Sequence, residues 1–349
     1  MGTPWYCTRE DVKSALDFKT TTPADAQVDR AIEAASRSVE GYLHRRFYPW
    51  TGTRYFDWPN RQYAASYRLW LESNELVSVT ALTSGGTTIS PSDYVLRRAD
   101  GLDEAPYDHI ELLTSSSATF GGGSTHQRDI AITGVYGWLD ERSVEDLIGN
   151  VTDTATTVVL HDPVSVGVGS LIRIGDERMI VTGRSARLQA HDLAADLTAS
   201  NSNTTFAVDS GSHFHAGEVI LIDGERMLVV DVAGDTLTVR RAWDGSTLAA
   251  HTSGAVIYRY NSFTVERGVL GTTATAHLSD VPVYVHRPPG PVKALCVAEA
   301  VSTVLNESAG YARTAGSGEN AREAAGRSLS DARTRARIAC GRMGRIGAV

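Results

Sequence analysis

The chain has few cysteines, and they have no pattern. Three in 349 residues, Cys7, Cys296 and Cys340, lie far apart, which argues against a zinc-ligand set and against a disulfide-stapled scaffold. No run approaches the roughly 18 apolar residues that a membrane-spanning helix needs. The opening MGTPWYCTRE has no basic segment followed by an apolar core, so no secretory signal is expected, and a reduced, cytoplasmic history fits best. Cations are outnumbered: 33 Lys and Arg face 41 Asp and Glu, a formal charge of −8. That balance argues against a protein whose main task is to grip nucleic acid. It leaves room for a surface that nucleic acid merely passes.

Chemistry is also sparse. No carboxylate pair, no nucleophile beside a histidine and no metal-ligand spacing stands out, so no enzyme, cofactor or metal is expected. His213 and His215 in SHFHAG come closest to a metal pair. They read as surface loop residues, because Ser165 and Gly167 take those places in a related segment and no further ligand is in view. The triplet Gly121–Gly123 precedes a strand rather than a helix, so it reads as a mobile loop and not as a phosphate cradle.

What is present begins with helices. From Thr22 to Pro49, apolar residues fall at Val28, Ile32, Ala35, Val39, Leu43 and Phe47, the spacing of a helix with one buried face. Thr22 is placed to cap it, Pro23 to sit in its first turn, Asp25 at its third position, and Pro49 to stop it. Thr8 and Asp11 predict the capped start of a shorter helix. PGPVKALCVAEAVSTVLNE (289–307) predicts another, with Ala294, Val297, Ala298, Val301, Val304 and Leu305 as its apolar face and Gly310 as its end. SAGYARTAGSGEN reads as a flexible joint, followed by a helix-compatible tail with a thin apolar side at Ala325, Leu329, Ala332 and Ala336.

Between the helices the chain reads as strands. TRYFDW, YRLWL, LVSVTALT, DYVLRR, HIELL and DIAITGVYGW are rich in aromatic and β-branched residues. Tyr55, Phe56, Trp58, Tyr67 and Trp70 read as core packing. From Val151 to His286 the composition is almost wholly β and repeats internally. Residues 156–181 align without a gap on 204–229, with Glu225 lying 48 positions after Glu177. Residues 237–258 align on 263–284, with His277 lying 26 positions after His251 and Arg267 after Arg241. The second copy has its halves together and the first has them apart, so one module reads as nested inside another. Asp223-Gly224 and Gly175-Asp176 are the hairpin turns. His251 and His277 recur at equivalent turns, which points to a structural hydrogen bond. Glu177-Arg178-Met179 and Glu225-Arg226-Met227 read as cross-strand charge and packing.

The segments YCTREDVKSAL, SVEGYLHRRFYP, ITGVYGW and PGPVKALCVAEAVSTVL resemble the head-to-tail adaptor (head–tail connector) proteins of tailed bacteriophages, over about 1–138 and 287–310. The repeats, with IDGERMLV and LTVRRAWDGSTLAAH, are similar to β modules inserted in adaptors of phages that infect actinobacteria. The expected fold is α+β: a helical adaptor body with a small sheet (1–150 and 287–310), an inserted pair of nested all-β modules (151–286; outer 152–195 plus 262–286, inner 203–260), and a flexible joint with a C-terminal arm (311–349).

The resemblance implies a structural virion protein of the phage neck, assembled in the host cytoplasm as a homo-oligomeric, dodecameric ring. Such a ring joins the portal to the stopper or tail-completion protein and extends a channel through which double-stranded DNA passes without specific binding. It nominates the portal as partner of the arm, through Leu329, Arg333, Arg335, Arg337, Arg342 and Arg345. The competing reading is a β-module binding protein on the virion surface or tail, recognising host or carbohydrate.

Overall fold

The computed structural model describes residues 2–16, 24–59, 65–99, 105–308 and 319–341. They form four α-helices and seventeen strands, and the strands make three sheets. The chain divides into two compact units, one of 1–45, 141–269 and 273–349, the other of 46–140 with 270–272.

Helix α1 (Arg9–Leu16) opens the first unit. Its start is a reciprocal cap, with the Thr8 amide donating to Asp11 Oδ2 at 2.9 Å and the Asp11 amide to Thr8 Oγ1 at 3.1 Å. Two orphan amides of the first turn are thereby satisfied. Helix α2 (Asp25–Leu43) buries Val28, Ala31, Ile32, Ala35, Ser36, Val39 and Leu43 along one face. Its limits correct the expectation drawn from Pro49. His44 takes a left-handed conformation (φ 52°) and its amide donates to the Glu40 carbonyl, which closes the helix six residues earlier than Pro49. Phe47 continues the apolar pattern and is buried, but from outside the helix. Asp25 is the first helical residue rather than the third, and Ala24 precedes it without a side-chain cap. Thr22 and Pro23 lie outside the described residues.

Among the described residues, the second unit is β apart from one 3₁₀ turn at Pro91–Asp93. Strands β1 (Pro49–Phe56), β2 (Arg68–Trp70), β3 (Leu76–Ser84), β4 (Thr87–Ile89), β5 (Tyr94–Arg97), β6 (His109–Leu112) and β7 (Ile130–Gly137) form two antiparallel sheets, in the orders β1-β7-β3-β4 and β2-β6-β5. Phe56, Leu69, Leu71, Leu76, Leu82, Ile110, Ile130, Ile132 and Tyr136 close one core across both. The expected aromatic packing is divided by strand alternation: Phe56 is buried and Trp58 packs on Phe120, while Tyr55 and Tyr67 are exposed.

The third sheet belongs to the first unit. Its strands are β8 (Glu141–Val144), β9 (Thr157–Val159), β10 (Leu171–Ile174), β11 (Glu177–Asp192), β12 (Thr205–Ala207), β13 (Val219–Ile222), β14 (Glu225–Ala233), β15 (Thr236–Arg240), β16 (Val256–Glu266) and β17 (Val283–His286). Two long strands, β11 and β16, run antiparallel from Ile180↔Glu266 to Asp192↔Val256. The Glu266 end of this ribbon also pairs β16 with β9, and the Tyr258 end pairs it with β13. Two separate cores result. One gathers Leu147, Val158, Leu160, Ile172, Met179, Val181, Phe263, Val265, Val283 and Val285. The other gathers Leu193, Leu197, Phe206, Ile220, Met227, Val229, Leu237, Val239 and Ile257.

Helix α3 (Gly290–Ser308) and helix α4 (Glu319–Cys340) complete the chain. On α3 the buried face is Val292, Leu295, Cys296, Ala300 and Val304. The face expected from sequence, Ala294, Val297, Ala298 and Val301, is exposed or half-exposed, with only its Val304 inside. The helix is apolar nearly all round, so spacing alone cannot choose between its faces.

The expected fold class is corrected. The protein is mostly β, with three sheets of 4, 3 and 10 strands, rather than a helical body carrying a small sheet. The reason lies in residues 46–140. They form two sheets around a core of their own.

Candidate functional site

Two features concentrate buried polar side chains of the first unit. The first is a pair of clamped loops in the third sheet. The second is the set of helices around Cys7.

Each clamp starts from a glutamate just past a hairpin turn. Asp223 and Gly224 both take positive φ, as a two-residue turn between right-twisted strands demands. The turn aims Glu225 inward, where its side chain is fully buried. Five donors converge on it. Oε1 accepts from Arg241 Nε at 2.7 Å and the Ala242 amide at 2.9 Å. Oε2 accepts from Arg241 Nη2 at 2.8 Å and the Ala249 amide at 3.0 Å, and pairs with His251 Nε2 at 2.9 Å. Glu177 repeats the arrangement. Arg267 Nε and Nη2 donate at 2.7 and 2.8 Å, the Gly268 and Thr275 amides at 3.0 Å each, and His277 Nε2 pairs at 2.8 Å.

Electrostatics follow from the donors. Burial opposes ionisation of Glu225, but the Arg241 fork, the Ala249 amide, His251 and the Ala242 amide outweigh it and hold the carboxyl at about 2, against an ordinary 4.5. Burial, Arg267, the Thr275 amide, His277 and the Gly268 amide give Glu177 the same value of about 2 against 4.5. A carboxylate engaged by five donors is a poor base. The clamp is a structural device, and it serves to fix the loop that the arginine and histidine bracket. His251 and His277 therefore make the structural hydrogen bonds expected of them. Their partners are the glutamates, which the sequence did not link to them.

What the clamps present differs between copies. In one, the loop apex is Trp243–Gly245, with Ala242 and Asp244 both at positive φ. Asp244 binds Lys13 Nζ at 2.9 Å and Arg226 Nη1 at 2.7 Å. This apex walls a cleft of about 440 Å³ that α1, the 163–167 loop, Arg226 and Tyr260 also line. Its charges are matched from within. Lys13 also pairs with Asp25, Arg9 with Asp25 and Asp29, and Lys293 with Asp11. In the other copy the apex is 270–272, in the second unit, where the Thr51 amide donates to the Leu270 carbonyl at 2.9 Å. A Cβ on Gly271 would meet the Thr51 carbonyl oxygen at 1.8 Å, so no side chain fits there.

The remaining expected residues are placed as follows. His213 stacks on His191, and His215 pairs with Glu145 at 3.2 Å and faces Arg259 at 3.0 Å. No group of three or more His, Cys, Asp or Glu poised for a metal occurs among the described residues. Among these residues, no helix is long and apolar enough to cross a membrane.

On α4, Ala332 and Ala336 are buried and Leu329 is half-buried. The chain's own α3 packs against this helix, so a second protein is not needed to cover the two alanines. Arg333 is drawn into that packing, with Nε 3.0 Å from Glu299 Oε1. Arg335 and Arg337 are exposed, and Ile338 beside them is 82% exposed. Arg342 and Arg345 lie outside the described residues.

The helices around Cys7 join segments far apart in sequence. The Tyr6 amide donates to Ser36 Oγ at 3.2 Å, and its hydroxyl to Glu40 Oε1 at 2.7 Å. Cys7 Sγ lies 3.4 Å from Cys296 Sγ, and Gln27 Nε2 donates to Glu307 at 2.9 Å. Neither a protein-family model nor a characterised protein matches the chain.

Proposed function

We propose that this is a structural protein of a tailed-phage neck, whose copies form a ring that joins the portal to the stopper or tail and extends the DNA channel. The observation that carries the reading is the meeting of YCTREDVKSAL, SVEGYLHRRFYP and PGPVKALCVAEAVSTVL through the Tyr6–Glu40 hydrogen bond and the Cys7–Cys296 contact. Three of the segments that resemble adaptor proteins build one helical cluster, although some 240 residues separate α2 from α3. The resemblance thus falls on parts that work together.

Two further features support the reading. The half-exposed stripe of α3, with Ala15 of α1, lines an open apolar groove, and a neighbouring copy in a ring would cover it. The formal charge of −8 suits a channel that DNA passes, since unpaired phosphate contacts would retard it. The ring contact is heterologous and closed. Negative-stain imaging of the purified protein tests the proposal. A ring with a central hole is the expected image, and a monodisperse monomer at every concentration would overturn it.

Portal attachment falls to the exposed side of α4. Arg335→Glu with Arg337→Glu is expected to leave the melting temperature unchanged, because both side chains stand in solvent. The same pair should weaken co-sedimentation with DNA-filled, adaptor-free heads by about tenfold, as lost charge-assisted contacts to acidic groups do. Undiminished co-sedimentation would remove these two arginines from the attachment surface.

A further inference from the structure

We propose that Cys7 and Cys296 are a dithiol site that a peroxide converts to an intramolecular disulfide, tying the segment ahead of α1 to α3. The inference does not rest on the neck assignment. It begins from geometry. The two sulfurs are 3.4 Å apart, and both residues are buried, at 3% and 0% exposure. A disulfide needs about 2.05 Å, so closure asks for a shift of roughly 1.4 Å. Cys7 lies in the non-helical segment before Arg9, which can move that far without breaking a helix. Cys296 is held in the middle of α3.

The surroundings give the two thiols different parts. Ser36 Oγ accepts the Tyr6 amide and lies 3.4 Å from Cys296 Sγ, so its own hydrogen is free to point at that sulfur. Cys7 donates to the same sulfur. These hydrogen bonds, that of Cys7 first, draw the Cys296 thiol below its ordinary value despite burial. The same bond and burial push the Cys7 thiol up. Cys7 Sγ and Ser36 Oγ both lie 3.4 Å from the Cys296 sulfur, so a thiolate there has two donors, and Cys296 is the nucleophile and Cys7 the resolving thiol. Cys340, on α4, is half-buried and its thiol is raised by burial, which leaves it outside the pair.

The chemistry balances with a peroxide, whose small size suits a buried site. The Cys296 thiolate attacks one oxygen of hydrogen peroxide. An S–O bond forms, the O–O bond breaks, and hydroxide leaves with the electron pair. Cys7 sulfur then attacks Cys296 sulfur. The S–S bond forms, the S–O bond breaks, and the oxygen departs as water with the Cys7 proton. Two thiols and one peroxide give one disulfide and two waters.

The experiment treats the full-length folded chain with hydrogen peroxide, quenches it with catalase, and alkylates under denaturing conditions. Intact mass and peptide mapping follow. The expected product is lighter by two hydrogens, with Cys7 and Cys296 joined, Cys340 alkylated, and a melting temperature above that of the reduced form. A reductant reverses all of it. Cys340→Ser should keep the link. Cys7→Ser should lose it and gain oxygen on Cys296 instead. The proposal fails if Cys7 and Cys296 both stay alkylatable at a dose that oxidises glutathione in the same tube. It fails equally if the only links formed run through Cys340.

Discussion

Glu225→Ala is expected to destabilise the module around Val229 and Ile257 by about 3–5 kcal/mol, the range for removing one partner of a buried pair. The alanine would leave Arg241, 8% exposed, without its carboxylate, and His251, 2% exposed, with only Asp223 at Nδ1. The amides of Ala242 and Ala249 would lose their acceptor in the same step. Glu225→Gln keeps the shape but cannot accept from five donors, so it should fall between alanine and wild type. Glu177→Ala should do to the other core what Glu225→Ala does here, because each core closes around its own clamp. Urea denaturation followed at Trp243, which stands on the clamped loop, reads the effect. An unchanged midpoint for both alanine variants would show that the clamps carry no stability.

The same carboxyls set a pH dependence. Both are depressed, from 4.5 to about 2, so the folded chain binds fewer protons than the unfolded chain between those values. Their contribution is complete above about 4.5 and is lost as pH falls through that window to about 2. Glu218 works in the opposite sense. Burial raises its carboxyl although Arg259 opposes the shift, so protonation of Glu218 favours the folded state as pH falls. Two depressed glutamates against one raised one leave a net loss in acid. Glu225→Gln should flatten the acid limb of the wild-type curve.

The repeat offsets placed Glu177 on Glu225, Arg267 on Arg241 and His277 on His251, but the bond between these positions was not legible. Glu177 and His277 are 100 residues apart, and no local pattern links a carboxylate to a cation at that distance. The Glu-Arg-Met triplets read as cross-strand charge and packing, a reading that names no distant partner for the glutamate. Two recurrences at unequal offsets were the signal that a constant contact joined them. The cap of α1 was legible because Thr8 and Asp11 are three residues apart and the bonds are local. The fold class was not. Short strand signals in 46–140 say nothing of whether they close a core of their own, which depends on pairings such as Pro49↔Gly137. On α3, apolar residues on both sides left the buried face undetermined until its neighbours were known.

Val39→Asp is the second large effect. Val39 is 0% exposed on α2, in a row with Ile32, Ala35 and Leu43. Helix α3, which buries Leu295, Cys296 and Ala300, packs against α2. The substitution removes a buried aliphatic group, a loss of about 1.5–3 kcal/mol for full burial, and brings in a carboxylate. Ionised, it would be an unpaired charge. Neutral, it would need its pKa raised several units, at a cost of the same order. The sum is expected to reach about 4–5 kcal/mol, in the tail of single-substitution effects. Val39→Ala should cost less than half of that, since it leaves a small cavity and no charge. Thermal or urea unfolding of the two variants separates the terms. A near-normal midpoint for Val39→Asp would mean that the α2 stripe is open in the isolated chain and belongs to a neighbour. Burial inside the chain argues the reverse: this stripe is already occupied, so the proposed ring would have to use faces that remain open, such as the Ala294–Val297–Val301 side of α3.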